Sequence, residues 1–92
     1  MYQIQDTSTF KKELKKAAKR KLDLKLIEKV IGLLAKDDTP LPAEYRDHSL
    51  KGHFEGFREC HIQPDWLLVY KKNAGTLILH LSRTGTHSDL FK

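Results

Sequence analysis

Cysteine is almost absent from this chain, which has Cys60 alone among its 92 residues. One cysteine cannot form an internal disulfide, and this is typical of proteins from a reducing compartment. No apolar run approaches the ~18–20 residues that a membrane-spanning helix needs. The N-terminal segment, MYQIQDTSTF, lacks the basic and then apolar pattern of a secretory signal. These absences predict a cytoplasmic protein that does not enter a membrane.

The familiar motifs of metal sites and cysteine nucleophiles are also missing. Three of the five histidines together with Asp65 could supply zinc ligands, but there is no H-x-x-x-H, no H-E-x-x-H and no cysteine pair. Cys60 precedes His61, and consecutive residues of a strand point to opposite faces, which disfavours a cysteine–histidine pair. No glycine-rich phosphate loop is present. We therefore expect neither a metal nor a cofactor.

Positive charge is concentrated in one segment. The chain carries a formal charge of +5, and residues 10–25, FKKELKKAAKRKLDLK, hold eight Lys or Arg against two acids, a net +6. The remainder therefore sums to −1. A basic stripe of this kind favours a polyanionic partner, most often nucleic acid, through the release of counterions. The alternative is a solvated helix face that only maintains solubility.

Helical periodicity dominates the N-terminal half. Residues 2–5 alternate weakly and predict a short edge strand, and the segment Asp6, Thr7 and Ser8 offers N-caps for a first helix. Asp23 can cap a second helix. Apolar residues recur at helical spacing along both segments, at Phe10, Leu14, Ala17 and Ala18, and then at Leu24, Ile27, Val30, Ile31 and Leu34. We expect an antiparallel helical hairpin with the lysines of the first helix facing outward.

Beyond the proline-containing segment 37–43 the periodicity changes to two. Residues 56–62 alternate, residues 66–71 contain the continuous apolar run WLLVY of a central strand, and residues 77–81 alternate again after an Asn-Ala-Gly turn. Gly85 ends the last strand, and residues 86–91 can form one helical turn. The predicted order is β-α-α-β-β-β. This is an α+β fold in which an antiparallel sheet carries the helices on one face, as a single domain over residues 1–92.

Six residues near the C-terminus offer the chemistry of metal-free RNA cleavage: His48, His61, Asp65, Arg83, His87 and Phe91. A base removes the proton of the 2′-OH, a cation stabilises the phosphorane, and an acid protonates the leaving 5′-oxygen. Histidine suits the acid and base roles because its ordinary pKa is about 6.5. Arginine binds phosphate with two parallel donors. An aromatic ring can stack on a base.

Antiparallel topology predicts that four of these groups meet. His61 and Asp65 flank the turn before the central strand, and Arg83 and His87 bracket the end of the strand that returns beside it. All four are therefore expected at one edge of the sheet. Every candidate residue also has a purely structural interpretation. His48 could cap a turn, His61 could be an ordinary strand residue, and Asp65 could form a turn. Trp66 could pack in the core, Arg83 could form a surface ion pair, and His87 could pack against Phe91 four residues later.

Two long motifs resemble a known family. The string D-H-x-L-x-G-x-x-x-G-x-R-E-x-H-x-x-P-D-W-x-L-x-Y runs from Asp47 to Tyr70, and R-T-G-T-H-x-x-L-F runs from Arg83 to Phe91. Together with the basic hairpin and the strand order, they are similar to the YafQ group of the RelE superfamily, the toxins of bacterial type II toxin–antitoxin pairs. The similarity covers essentially the whole chain.

The resemblance implies a microbial RNase-like fold and a ribosome-dependent endonuclease that cuts mRNA in the ribosomal A site without metal. It implies that the catalytic set is His48, His61, Asp65, Arg83, His87 and Phe91, with Trp66 as a support that also contacts RNA. Our role hypotheses make His87 the general acid and His48 or Asp65 the general base, with His61 orienting or sharing that role. Arg83 would neutralise the phosphate, and Phe91 would stack a base.

The resemblance also implies macromolecular partners. Ribosomal RNA is expected to contact Lys11, Lys12, Lys15, Lys16, Lys19, Arg20 and Lys21. A small acidic antitoxin, DinJ-like, is expected to wrap the toxin and neutralise it, and no small-molecule ligand is expected. Two alternatives stay open: a non-catalytic binding module of the same fold, and a small RNase that needs no ribosome.

Overall fold

The fold is a five-stranded sheet with two long helices, described for residues 1–91 in a computed structural model. Two single 3₁₀ turns, Ala43–Tyr45 and Gly52–Phe54, interrupt the connections. The regular elements are β1 (Gln3–Asp6), α1 (Ser8–Lys19), α2 (Leu24–Lys36), β2 (His48–Ser49), β3 (Arg58–Gln63), β4 (Trp66–Asn73), β5 (Ile78–Gly85) and α3 (His87–Leu90). The predicted α+β class, helical hairpin and terminal helical turn are confirmed.

Both long helices begin at side-chain caps. The Phe10 N–H donates to Thr7 Oγ1 at 2.9 Å, and the Lys25 N–H donates to Asp23 Oδ1 at 3.0 Å. Each bond satisfies a backbone donor that the first turn of a helix leaves unpaired. The caps lie within the predicted segments.

The sheet is mixed, in the order β1-β5-β4-β3-β2. The three predicted strands β3, β4 and β5 pair antiparallel, and β1 lies at an edge, parallel to β5. The opposite edge is β2, which pairs His48 with Glu59. The sequence did not predict β2, because two residues are too short to display a period of two. His48 therefore lies in an edge strand and not in a simple turn.

Strand β4 is buried on both faces. On one face Leu68 and Tyr70 join the main core, which α1 and α2 cover with residues such as Phe10 and Ile27. On the other face Leu67 and Val69 pack in a smaller cluster with Leu90, Leu50, Phe54 and Phe57. This explains why the sequence of β4 is continuously apolar and does not alternate.

The face of the sheet opposite the long helices is only partly covered; we call it the open face. Cross-strand partners share a face, so the pairs Glu59–Val69 and His61–Leu67 place both polar side chains there. Cys60 points the other way and is fully buried, and burial raises the pKa of its thiol to about 12. Within residues 1–91, no helix is long and apolar enough to cross a membrane.

Candidate active site

Three histidines and a phenylalanine form a row on the open face. The ring centroids of His48 and His61 are 6.4 Å apart, those of His61 and His87 are 6.0 Å apart, and those of His87 and Phe91 are 5.9 Å apart. We call His48, His61 and His87 the histidine row. Its members come from β2, β3 and the start of α3, so only the tertiary structure brings them together. Four of the six predicted residues therefore lie side by side.

A buried carboxylate that the sequence analysis did not select lies beneath this row. Glu59 is 2% exposed, and its Oε1 is 3.5 Å from Nε2 of His48 and 3.7 Å from Nε2 of His61. A buried carboxylate is costly unless it has polar or cationic partners. The alternation of β3 and its place two residues before His61 were the signals that could have identified Glu59.

The other nitrogen of each ring contacts a backbone carbonyl. Nδ1 of His48 lies 2.8 Å from the oxygen of Arg46, and Nδ1 of His61 lies 3.2 Å from that of Pro64. A carbonyl oxygen only accepts, so Nδ1 donates in both rings. In the neutral ring, Nε2 then carries the lone pair that a general base requires. Both lone pairs lie on the side of Glu59.

Asp65 orients His87. The backbone N–H of His87 donates to Asp65 Oδ1 at 3.2 Å, and Nδ1 of the His87 ring lies 3.7 Å from the same oxygen. Both side chains are largely exposed. The predicted meeting of Asp65 and His87 at one edge is therefore present, with His61 beside them.

Arg83 differs from the expected arrangement. Its guanidinium donates from Nε at 2.9 Å and from Nη2 at 2.8 Å to the carboxylate of Glu13 on α1. This carboxylate raises the pKa of Arg83 above its ordinary value. Arg83 also lines a cavity of about 280 Å³, to which Asp65 contributes. The arginine therefore adjoins the histidine row through Asp65 and makes no hydrogen bond or salt bridge to its rings among residues 1–91.

A bulge explains the position of Arg83. In β5, Leu81 pairs with Tyr70 and Arg83 pairs with Val69, so the residue between them has no partner. The shift places Arg83 opposite an open-face residue. Strand β1 ends at Asp6, opposite Leu81, so β5 has no neighbour on that side at Arg83. The guanidinium can therefore reach α1 past the end of β1.

The two aromatic candidates have different environments. Trp66 is 2% exposed, and its Nε1–H donates to Thr84 Oγ1 at 2.9 Å. The Thr84 hydroxyl in turn donates to the Leu67 carbonyl at 2.7 Å. The Trp66 ring therefore packs in the core, and its contact with RNA stays a prediction. Phe91 is 38% exposed and packs edge-on against Phe54. Its ring remains accessible at the end of the row.

Helix α3 is too short to be stable alone and is held by Asp89. The Asp89 N–H donates to Thr86 Oγ1 and the Thr86 N–H donates to Asp89 Oδ2, which together form a capping box. Arg20 of α1 donates from Nη1 to Asp89 Oδ2 at 2.9 Å. The hydrogen bond from Arg20 holds the pKa of Asp89 well below its usual range. These contacts position His87 and Phe91.

A second acid fixes the segment that carries His48. The Tyr70 hydroxyl donates to Asp47 Oδ1 at 2.6 Å, and Arg58 Nη2 lies 3.2 Å from Asp47 Oδ2. Arg58 also donates to the hydroxyl of Ser49 at 2.9 Å. Residues on both sides of His48 are therefore anchored to β3 and β4, so a two-residue edge strand holds its catalytic candidate in place.

Comparison with known proteins decides the family. The family described as "Bacterial toxin of type II toxin-antitoxin system, YafQ" matches residues 2–92. The chain belongs to the YafQ toxin family. The mRNA interferase toxin YafQ of Escherichia coli K12 is 40% identical over 88 residues, which cover 96% of this chain and 94% of that protein. The predicted resemblance is thereby confirmed.

Solved YafQ structures share the fold. The crystal structure of YafQ from E. coli BL21(DE3) has a TM-score of 0.93 at 37% identity, and YafQ in the E. coli DinJ-YafQ complex has one of 0.91 at 38% identity; each comparison covers 100% of both chains. A metal-bound toxin from Helicobacter pylori has a TM-score of 0.91 at 47% identity, with coverage of 99% of this chain and 100% of that one. In the described part of this YafQ-family chain, no three His, Cys, Asp or Glu side chains form a group suited to a metal.

The basic face of this YafQ-family toxin lies on α1 and the turn after it. As predicted, its cationic side chains are exposed: Lys11, Lys12, Lys15, Lys16, Lys19, Arg20 and Lys21. Three of them are within ion-pair distance of acids: Lys11 of Asp6, and Lys16 and Arg20 of Asp89. Within residues 1–91, the remaining four, Lys12, Lys15, Lys19 and Lys21, have no salt bridge. This unneutralised charge is available to a polyanion.

The anchoring of α3 predicts the behaviour of Asp89→Asn. Loss of the negative charge in the first turn of α3 should cost about 0.3–1 kcal/mol of stability and should accelerate amide exchange of residues 87–91. The Asp89 carboxyl has a lower pKa in the folded protein than in the unfolded chain. Its charge therefore stabilises the fold fully above the unfolded pKa of 3.8, and this contribution is lost as the pH falls through the lower folded pKa. The difference in Tm between wild type and variant should therefore be constant from neutral pH down to the unfolded pKa and should shrink as the pH falls below 3.8. Ser88→Ala is the neighbouring control, and equal exchange rates in wild type and Asp89→Asn would contradict the anchor.

Proposed function

We propose that this chain is an endoribonuclease that cuts mRNA in the ribosomal A site by metal-independent acid–base chemistry and thereby stops translation. The observation that supports this most is the histidine row: three imidazoles and an exposed ring lie on one open face of a YafQ-family toxin, with Glu59 beside His48 and His61 and with Asp65 beside His87. The related E. coli protein is named an mRNA interferase. Its solved complex with DinJ supports a small antitoxin as the partner of this chain.

His48 is the general base in this proposal. Its side chain is 48% exposed, against 14% for His61, so it is the more accessible of the two rings that contact Glu59. Nε2 of His48 takes the proton from the 2′-OH, and the 2′-oxygen attacks phosphorus. The Glu59 carboxylate, 3.5 Å from the same nitrogen, then stabilises the imidazolium through its negative charge. His61 extends the row and shares the base role.

His87 is the general acid. Its side chain is exposed, and its backbone N–H is bonded to Asp65. His61 lies between it and His48, with ring-centroid distances of 6.4 Å from His48 to His61 and 6.0 Å from His61 to His87. Base and acid can therefore approach a phosphodiester from its two sides. Protonated His87 delivers its proton to the 5′-oxygen as the P–O bond breaks, leaving a 2′,3′-cyclic phosphate and a 5′-hydroxyl. Arg83 neutralises the negative charge of the phosphorane, and the Phe91 ring stacks on a base of the A-site codon.

The basic face docks the toxin on ribosomal RNA. Lys12, Lys15 and Lys19 are exposed on α1, the helix that covers the face of the sheet opposite the histidine row, so docking through them leaves the open face free for mRNA. Phosphate contacts of this kind are independent of sequence and weaken as salt rises. An acidic DinJ-like antitoxin is complementary to the same charge, which would make antitoxin binding and ribosome docking compete.

His87→Ala should reduce cleavage of ribosome-bound mRNA by ~10²–10⁴-fold, the usual contribution of one proton transfer. Cuts are mapped with and without translating ribosomes, in EDTA-treated and magnesium-restored samples, beside His53→Ala as an exposed histidine outside the row. The variant should also lose the limb of the pH–rate profile that falls at high pH, because a general acid must be protonated to act.

Three other results would redirect the proposal. Equal cutting of naked RNA would favour a ribosome-independent RNase. No cutting by wild type would favour a non-catalytic binding module. A pH–rate profile of His87→Ala that keeps both limbs would remove His87 from the acid–base pair.

Glu59→Gln tests the stabilisation of the base. The amide keeps the shape of the side chain but removes the charge that stabilises an imidazolium. We expect the single-turnover rate to fall by about tenfold or more, within the ~10²–10⁴ that general base catalysis contributes. Glu55→Gln removes an equal charge from the exposed turn before β3 and should leave the rate unchanged. A Glu59→Gln enzyme at the wild-type rate would exclude this role.

Charge reversal of Lys12, Lys15 and Lys19 tests the docking face. The three Lys→Glu changes should weaken binding to ribosomes, flatten its dependence on salt and raise KM, because each lost phosphate contact lowers the salt slope by about one unit. The matched control reverses Lys25, Lys29 and Lys36, which are exposed on α2, and gives the same net charge. Equal effects of the two triple variants would show that net charge alone matters and that α1 is not the docking face.

A further inference from the structure

Glu13 is the only acid of α1, the helix with sequence STFKKELKKAAK. Lysines surround it along the helix, yet its carboxylate does not pair with them. Its side chain is only 16% exposed and points to the end of β5, where Oε1 accepts from the Arg83 Nε–H at 2.9 Å and Oε2 accepts from Nη2–H at 2.8 Å. A carboxylate in the middle of the proposed docking helix therefore holds the proposed phosphate ligand.

This contact fixes the plane of the guanidinium. Parallel donation from Nε and Nη2 to one carboxylate is the bidentate geometry, which adds orientation to charge. Two of the five N–H donors of Arg83 are then occupied. The remaining three lie on Nη1 and on the second position of Nη2, and Nη1 has no hydrogen-bond partner among residues 1–91. One edge of the guanidinium thus stays available for phosphate.

The same carboxylate reaches the backbone of the next residue. The Thr84 N–H donates to Glu13 Oε1 at 3.2 Å, and the Thr84 hydroxyl is itself bonded to Trp66 and to the Leu67 carbonyl. Thr84 immediately precedes Gly85 and the turn that starts α3. Glu13 therefore ties α1 to the point of the chain from which Arg83 and His87 diverge.

Strand register adds an independent argument. Arg83 pairs with Val69, which belongs to the smaller apolar cluster on the open face. Cross-strand partners share a face, so the Arg83 side chain leaves β5 on the face that carries the histidine row. β5 is unpaired on its outer side at Arg83 because β1 has already ended. Without a partner, a long cationic side chain at such an edge would sample many rotamers. Glu13 removes that freedom beside the site where the phosphate is expected.

We infer that Glu13 is a positioning residue for Arg83: it holds the guanidinium ready for the scissile phosphate and links the docking helix to the catalytic face. This inference rests on the proposed function. Partial neutralisation of Arg83 by Glu13 weakens its attraction for phosphate, but a preorganised donor avoids the reorganisation that a mobile arginine would need during the reaction.

Glu13→Gln is the direct test, measured as single-turnover cleavage of mRNA on programmed ribosomes across a range of ribosome concentrations. The amide cannot accept from both Nε and Nη2, so the guanidinium is released. We expect kcat to fall by about 10- to 100-fold, the usual effect of misplacing a catalytic group, with KM unchanged because the docking lysines are intact. Glu28→Gln, an equal charge change at an exposed site of α2, should behave as wild type.

A double-mutant cycle separates positioning from a general structural role. The single variant Arg83→Ala should lower kcat. Adding Glu13→Gln to it should cause no further loss, because the residue to be positioned is gone. Two losses that multiply would overturn the inference. Glu13→Asp keeps the charge but draws the carboxylate back by one methylene, so it should lose several-fold less kcat than Glu13→Gln. It also serves as the test protein if Glu13→Gln does not fold.

The remaining outcomes are distinct. A wild-type kcat in Glu13→Gln overturns the positioning role, and so does a loss of kcat in Glu13→Asp that equals or exceeds the loss in Glu13→Gln. A raised kcat in Glu13→Gln also overturns it and shows that Glu13 restrains Arg83. If wild type cuts neither ribosome-bound nor free RNA, the proposed function fails, and the inference fails with it. If wild type cuts and Glu13→Gln does not differ from it, only the inference fails.

Discussion

Burial of β4 on both of its faces is the constraint on which the rest of the structure depends. Two long helices cover one face, where the apolar stripes of α1 and α2 pack against the sheet. The other face has only the small cluster around Leu67 and Val69, closed by the single turn of α3. A chain of this size has too little apolar surface to cover both faces. The polar half of the open face is where the histidine row lies.

Carboxylates organise this half of the molecule although the protein is basic. Glu59 lies beneath two histidines, Asp65 meets His87, Glu13 holds Arg83, and Asp89 holds the helix that carries His87. Each acid contacts a residue from a different element. Most of the net positive charge lies on the exposed side of α1, where Lys16 and Arg20 also approach Asp89. One chain therefore carries both the proposed acid–base site and the basic surface proposed to bind a polyanion.

The features that sequence patterns predicted well are local. The caps at Thr7 and Asp23 follow from side chains that bond to their own helices, and the central strand follows from an apolar run. The edge strand at His48 and the bulge that sets the direction of Arg83 were missed. Both arise from pairing between strands, which leaves no periodic signal in so few residues. RNA contact was predicted for Trp66 because the family motif includes it; in the structure its hydrogen bond to Thr84 holds the ring in the core.

The sequence by itself determined the α+β class, the family, the basic helix and the identity of the six catalytic candidates, since these are written in periodicity, charge and motif. Tertiary structure decided which of them meet. His48, His61 and His87 become neighbours only when β2, β3 and α3 pack together, and Glu59 joins them because β3 alternates beside β2. Glu13 and Arg83 are 70 positions apart in the chain. No pattern in the sequence pairs them, because their contact depends on where β1 ends and how α1 crosses β5.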